Sequence, residues 1–199
     1  NHAQGVAFAC RSMGIPGRIY VPAATPKQKR DRIKVHGGNM VELVVTGANF
    51  DEASAAAHDY AEETGATIIE PFAARDTIVG QGTVAAEILS QLSAMGKSPD
   101  TIVVPVGGGG LISGILSYLA DMSPRTAVVG VEPAGAPSLN AALKAEKPVT
   151  LDAVDPFVDG AAVKRIGDIN YQIIEKNLGR LHPLVVSEGA VCTEMIELY

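Results

Sequence analysis

The sequence predicts an α/β protein built on a parallel sheet, and three observations carry that prediction. Helix-like and strand-like stretches alternate from one end to the other, the pattern of successive βαβ units. Ala, Val, Ile and Gly dominate while Trp is absent and aromatics make up only 5%, a composition suited to helices packed closely on a buried sheet. The uncharged stretch from Thr101 to Ala120 reads as a strand, a run of four glycines and a helix. It approaches the length of a membrane span, but Pro105 and the glycines would break such a helix.

The elements follow in order. Ala3 to Met13 has helical patterning and stops at Gly14 and Pro16; Arg18 to Val21 is a short strand. Thr25-Pro26-Lys27-Gln28 predicts a helix start with Thr25 as cap, running to about Val35. Val41 to Val45 is a β-branched strand. Asn49 is expected to cap the next helix, with Glu52 reaching back, and Gly65 to end it. Thr67 to Ile69 is predicted as a strand, and Asp76 to Met95 as a helix with Gly80 and Gly82 inside it. Each glycine costs about 1 kcal/mol against Ala, so close packing or a ligand is expected to require them. Thr126 to Val131 is a strand, Pro137 to Ala145 a short helix, and residues 147–163 are loop-rich. Asp168 to Asn177 is helical, Pro183 to Val186 a strand, and Ser187 caps a last helix. A change of character near Pro71 suggests two lobes, 1–72 and 73–199, with room for a ligand in a cleft between them.

Composition excludes several function classes. The net charge of −6, with no basic block, argues against nucleic-acid binding. Cys10 and Cys192 are far apart, and the four histidines form no metal pair, so no metal site is expected and a reducing cytoplasmic setting is the simplest inference. The sequence lacks an initiator Met and ends within an amphipathic helix pattern, which predicts an internal piece of a longer protein.

The run Gly107-Gly108-Gly109-Gly110 is the main candidate site. Glycine lets a ligand approach the backbone, and the first N–H groups of a helix lack partners and favour an anion. Four glycines at a strand-to-helix junction therefore predict a phosphate cradle made from backbone amides; the alternative is a tight turn without a ligand. A nicotinamide-binding reading stays open because Glu132 lies about twenty residues on, where a ribose-binding acid would sit. Against it, the fingerprint G-x-G-x-x-G fails at Ile112 and at Ser113.

Four segments in order carry a resemblance. They are Asn1-His2-Ala3-Gln4-Gly5, Gly80-Gln81-Gly82-Thr83, Pro105-Val106-Gly107-Gly108-Gly109-Gly110-Leu111, and Asp159-Gly160-Ala161-Ala162-Val163-Lys164-Arg165-Ile166-Gly167. Along the whole sequence the chain resembles the threonine dehydratase (threonine ammonia-lyase) branch of the fold-type II pyridoxal-phosphate family, and the Ser187-to-Met195 run resembles its biosynthetic bacterial type. The resemblance implies a tryptophan-synthase-β-like fold of two lobes, incomplete at both ends, and pyridoxal 5'-phosphate as cofactor. It implies deamination of L-threonine to 2-oxobutanoate and ammonia for isoleucine synthesis, by a cytoplasmic homo-oligomer that acts on a small amino acid.

By the same resemblance Gly107, Gly108, Gly109, Gly110 and Leu111 would hold the cofactor phosphate. Asn1 would contact its 3-hydroxyl, Gly160 would lie along its ring, and His2 would be a structural partner. Glu132 and Ala136 match a cation-binding segment of serine racemases, but Ser138 stands where that segment carries an acid, so no metal is expected. The family's Schiff-base lysine lies in a Ser-Phe-Lys motif that this sequence lacks. No catalytic residue is therefore assigned within the chain, and the piece by itself is expected to be inactive. Serine dehydratase, serine racemase and a non-catalytic phosphate-binding or assembly module remain as alternatives.

Overall fold

The computed structural model describes residues 1–198. It divides by internal packing into two compact units, Asn1–Pro71 and Phe72–Tyr199. All strand pairing among the described residues is parallel.

In the first unit, α1 (His2–Met13) leads to β1 (Gly17–Val21), α2 (Lys27–Gly37), β2 (Val41–Val45) and α3 (Phe50–Thr64). Strands β1 and β2 pair with Gly17 opposite Val41 and Val21 opposite Val45. The pairing places Arg18 beside Glu42, and the guanidinium donates to both carboxylate oxygens at 2.7 and 2.8 Å. The buried core is small: Ala7, Ile19, Val21 and Ile33. Asn49 caps α3 as its side chain predicts, its Oδ1 accepting from Glu52 N at 3.0 Å. Glu52 reaches back one residue further than expected and accepts from Ala48 N at 2.8 Å. Gly65 ends the helix at φ 72°, a left-handed conformation in which Gly is strongly preferred.

Two local expectations fail. Thr25 does not cap α2: its N–H closes a turn onto Pro22 O, and Pro26 takes the cap position, with its carbonyl accepting from Lys29 and Arg30. Proline with its fixed φ starts the helix without a side-chain acceptor. Thr67 to Ile69 is not a strand either. Extended residues become a strand only where a ladder partner receives them, and here the Ile69 carbonyl accepts from the His2 ring instead, at 2.9 Å.

The second unit runs α4 (Arg75–Ala94), β3 (Thr101–Pro105), α5 (Gly110–Met122), β4 (Ala127–Pro133), α6 (Ser138–Ala145), α7 (Asp168–Glu175), β5 (Leu181–Val186) and α8 (Glu188–Glu197). Its sheet has the order β3-β4-β5. The core gathers Val104, Val106, Ile112, Ile115, Leu116, Leu119, Val128, Leu139, Ile166 and Ile174. Helices α4 and α5 meet through glycines: a Cβ on Gly114 would lie 2.5 Å from both Gly82 N and Ile78 O. Gly114 is thus required by packing; a Cβ on Gly82 would lie 3.2 Å from Gly114 O, a tighter fit than usual, whereas one on Gly80 would meet open space. Ser187 caps α8, its Oγ accepting from Ala190 N at 3.2 Å. No helix is long and apolar enough to cross a membrane among the described residues.

Candidate functional site

The glycine run joins β3 to α5, as its position between an apolar strand and an apolar helix predicts. Val106 N bonds Val131 O at 2.7 Å and carries the sheet pairing to the edge of the loop. Gly109 then takes φ 91°, in the left-handed region that disfavours any side chain, and α5 begins at Gly110 without a side-chain cap. The other glycines are fixed by packing. A Cβ on Gly108 would fall 2.4 Å from the Phe72 ring, and one on Gly110 would lie 2.9 Å from Phe72 Cβ. A Cβ on Gly107 would press on Ala161 Cα at 3.2 Å.

The two sides of this backbone are used differently. The carbonyls face protein donors: Gly107 O accepts from Ser138 Oγ at 3.4 Å, Gly108 O from Gly167 N at 3.2 Å and Asn170 Nδ2 at 2.8 Å, and Gly109 O from Ser113 N at 3.0 Å. The amides from Gly107 to Ile112 donate to no protein acceptor among the described residues. Gly108, Gly109 and Gly110 are nevertheless buried. Buried backbone N–H groups are almost always paired, so a run of unclaimed ones at a helix N-terminus is a donor set that lacks its acceptor. The helix dipole adds partial positive charge at the same end.

The structure brings Gly160 to this loop. It follows a 3-10 turn at Pro156–Val158, whose start is fixed by Asp155 Oδ1 accepting from Phe157 N at 2.8 Å. Its carbonyl oxygen lies 3.5 Å from where a Gly107 Cβ would sit, and Gly160 itself borders open space. Leu111 is half-buried in the first turn of α5. Asn1 belongs to the first unit. It precedes α1, is exposed and makes no side-chain cap, while its carbonyl accepts from Gly5 N at 2.9 Å. His2 donates to Ile69 O, and burial lowers its pKa below the ordinary histidine value. It ties α1 to the end of its own unit.

Glu132 overturns the nicotinamide-binding reading. It ends β4 with 0% exposure, and its two oxygens accept from Leu139 N at 2.9 Å and Asn140 N at 2.7 Å. Burial raises its pKa; the two amide bonds and the N-terminus of α6 favour the carboxylate. The acid is consumed as a cap for α6 and faces no ribose site. Ser138, beside it, donates to the glycine loop. No group of His, Cys, Asp and Glu side chains is placed to hold a metal ion among the described residues.

Three residues that fix the loop were not singled out by sequence reasoning as its partners: Phe72, Ser138 and Asn170. Asn170 left a trace in the sequence, since it is a polar residue on the buried stripe of α7 that includes Tyr171 and Ile174. Phe72 left none, because nothing local ties it to residues 108 and 110.

Comparison with known proteins agrees with this geometry. The model of the family described as "Pyridoxal-phosphate dependent enzyme" matches residues 1–199. The biosynthetic L-threonine dehydratase IlvA of Corynebacterium glutamicum is 71% identical over 100% of this chain, which corresponds to 46% of that protein. The chain therefore spans a little less than half the length of the curated relatives it matches. Among solved structures, the processed form of threonine deaminase isoform 2 from Solanum lycopersicum superposes with a TM-score of 0.83 at 36% identity, covering 94% of this chain and 52% of that one. Maize serine racemase gives a TM-score of 0.87 at 32% identity, covering 100% of this chain and 57% of that one. A β3–glycine–α5 junction with unclaimed amides, on parallel sheets shared with these enzymes, accords with the match along the whole chain, and the chain belongs to the pyridoxal-phosphate-dependent enzyme family.

Proposed function

We propose that this chain forms the phosphate-holding part of a pyridoxal-phosphate-dependent threonine dehydratase, which converts L-threonine to 2-oxobutanoate and ammonia. One observation supports the reading above the others: the amides from Gly107 to Ile112 lack protein acceptors, although Gly108, Gly109 and Gly110 are buried, while the loop carbonyls are tied down. A phosphate dianion supplies the missing acceptors and the charge that the helix end favours. The residues present therefore fit the cofactor. When bound, pyridoxal phosphate acts as a sink for the electrons left when the Cα–H bond of an amino acid breaks.

The chain's own residues bind and orient. Gly107, Gly108, Gly109, Gly110 and Leu111 are assigned to the phosphate through their N–H groups. Gly160 is assigned to the cofactor ring, which its backbone position beside Gly107 and the open space over its Cα favour. Asn1 is assigned to the ring hydroxyl on the resemblance of the Asn1–Gly5 segment alone. Ser138 and Asn170 hold the loop by its carbonyls and Phe72 packs on Gly108 and Gly110, so the donor array need not reorganise when the anion arrives. The lysine that engages the cofactor is assigned to no position of this chain.

Threonine rather than serine is favoured by the 71% identity to a protein named as the biosynthetic threonine enzyme. That name also favours a place in isoleucine synthesis. A homo-oligomeric assembly and a cytoplasmic setting belong to the same proposal; the two cysteines are both free, which suits a reducing compartment. The test is a substrate panel on the full-length protein that carries this sequence, loaded with pyridoxal phosphate. The proposal expects 2-oxobutanoate from L-threonine at a higher kcat/KM than pyruvate from L-serine. A clear preference for serine, or racemisation without ammonia release, would assign the chain to another branch of the family.

A further inference from the structure

We infer that Asn170 is a positioning residue for the cofactor phosphate: it fixes the direction in which the glycine loop presents its amides. The inference rests on the proposed cradle at residues 107–112, and it concerns a residue that does not touch the ligand. Asn170 stands in the first turn of α7 with 0% exposure. Its Nδ2 uses both protons, donating to Gly108 O at 2.8 Å and to Phe72 O at 3.0 Å. Gly167 N, just before the same helix, donates to Gly108 O as well. A carbonyl oxygen has two lone pairs, so Gly108 O is saturated from one side.

Planarity turns that saturation into direction. The peptide unit between Gly108 and Gly109 is trans, as are the other described peptide bonds, so its C=O and N–H point opposite ways. Two donors pulling Gly108 O towards α7 aim Gly109 N–H away from α7. Glycine alone would leave this unit free to rotate, since it restricts φ and ψ least of all residues. The clamp removes the freedom that the glycines introduce. One further hydrogen bond and two close approaches by glycine seat Asn170. Its backbone carbonyl accepts from Ser113 Oγ at 3.3 Å, a Cβ on Gly109 would touch its side chain at 3.2 Å, and a Cβ on Gly167 would meet its Cγ at 3.2 Å. Helix α7 is thereby bolted to both the loop and α5. Its Oδ1 is buried without a partner, so the hydrogen bonding of the side chain is carried by its NH2 group.

The experiment compares pyridoxal phosphate with pyridoxal, which lacks the phosphate. In Asn170→Leu, which keeps the bulk and removes both donors, affinity for pyridoxal phosphate is expected to fall by about tenfold or more while affinity for pyridoxal changes by less than about twofold. Equal weakening of both in a variant that folds as the parent does would overturn the inference, as would unchanged affinity for both. Asn170→Ser is the second variant, and it is expected to show the same split if Leu impairs folding. A reading on the unsubstituted protein needs no variant: pyridoxal phosphate should slow hydrogen exchange of the Asn170 side-chain NH2 and of Gly109 N–H together. Protection of Gly109 without Asn170 would overturn the inference. Should the unsubstituted protein bind pyridoxal as tightly as pyridoxal phosphate, the cradle itself would fall. The clamp would then be judged by Gly109 exchange in Asn170→Leu, where faster exchange supports it and unchanged exchange contradicts it.

Discussion

The two units of the molecule stabilise themselves by different means. The second buries a continuous set of large aliphatic side chains, with Leu116, Leu119, Leu139, Ile166 and Ile174 fully inside. The first buries only Ala7, Ile19, Val21 and Ile33 as its core cluster, and leans on surface devices: the Arg18–Glu42 pair, the Asn49 cap and the His2–Ile69 bond. A side pocket of about 1000 Å³ opens among its own residues, bordered by Val6, Ile19 and Val41. The glycine loop is rooted in the unit with the larger core. A donor array for an anion works only if it is already in place, and dense packing is what holds unpaired amides in position.

Several changes would break or sharpen that contrast. Leu116→Ala, in the core of the second unit, should cost about 3–4 kcal/mol in denaturant unfolding. If the loop depends on that core, affinity for pyridoxal phosphate should fall with it. Gly114→Ala should cost about 2–3 kcal/mol, because the new Cβ would meet backbone atoms of α4 at 2.5 Å and cannot be relieved by a rotamer change. The matching change at Gly80, where no atom lies within 4 Å, should be neutral or stabilising by up to about 1 kcal/mol. Asn49→Ala should cost about 1 kcal/mol and shift only the melting of the first unit, seen as faster amide exchange in α3 with β3 and β4 unaffected.

The smallest expected effect concerns pH. Burial raises the Glu132 pKa above its ordinary value of 4.5, so the folded state binds that proton more tightly than the unfolded chain. The contribution of this group to stability therefore declines as pH rises from about 4.5 through the folded value. Glu132→Gln removes that slope. The difference in unfolding free energy between parent and variant should thus drift towards the parent as pH falls, and a difference that is flat with pH would show that the amide bonds from Leu139 and Asn140 cancel the burial.

What the sequence disclosed follows the range of the interactions. Asn49 and Glu52 are three residues apart, so their cap was legible as a pattern. The glycine run marked the strand-to-helix junction because its conformational demand is local. Asn170 and Gly108 are 62 residues apart, and Asn170 and Phe72 are 98 apart, so no window along the chain could pair them. Glu132 illustrates the converse. Its position suited a ribose-binding acid, yet a helix start seven and eight residues on claimed the carboxylate first. Thr67 to Ile69 had a strand's composition without a ladder to join, and strand formation is decided by the partner.

The account stands on the amides of the glycine loop, and they can be observed directly. Backbone amide resonances of the 15N-labelled protein, followed while pyridoxal phosphate is added, should move most at Gly107 to Ile112, downfield as each N–H gains an anionic acceptor. Saturable binding with those six signals unmoved would contradict it.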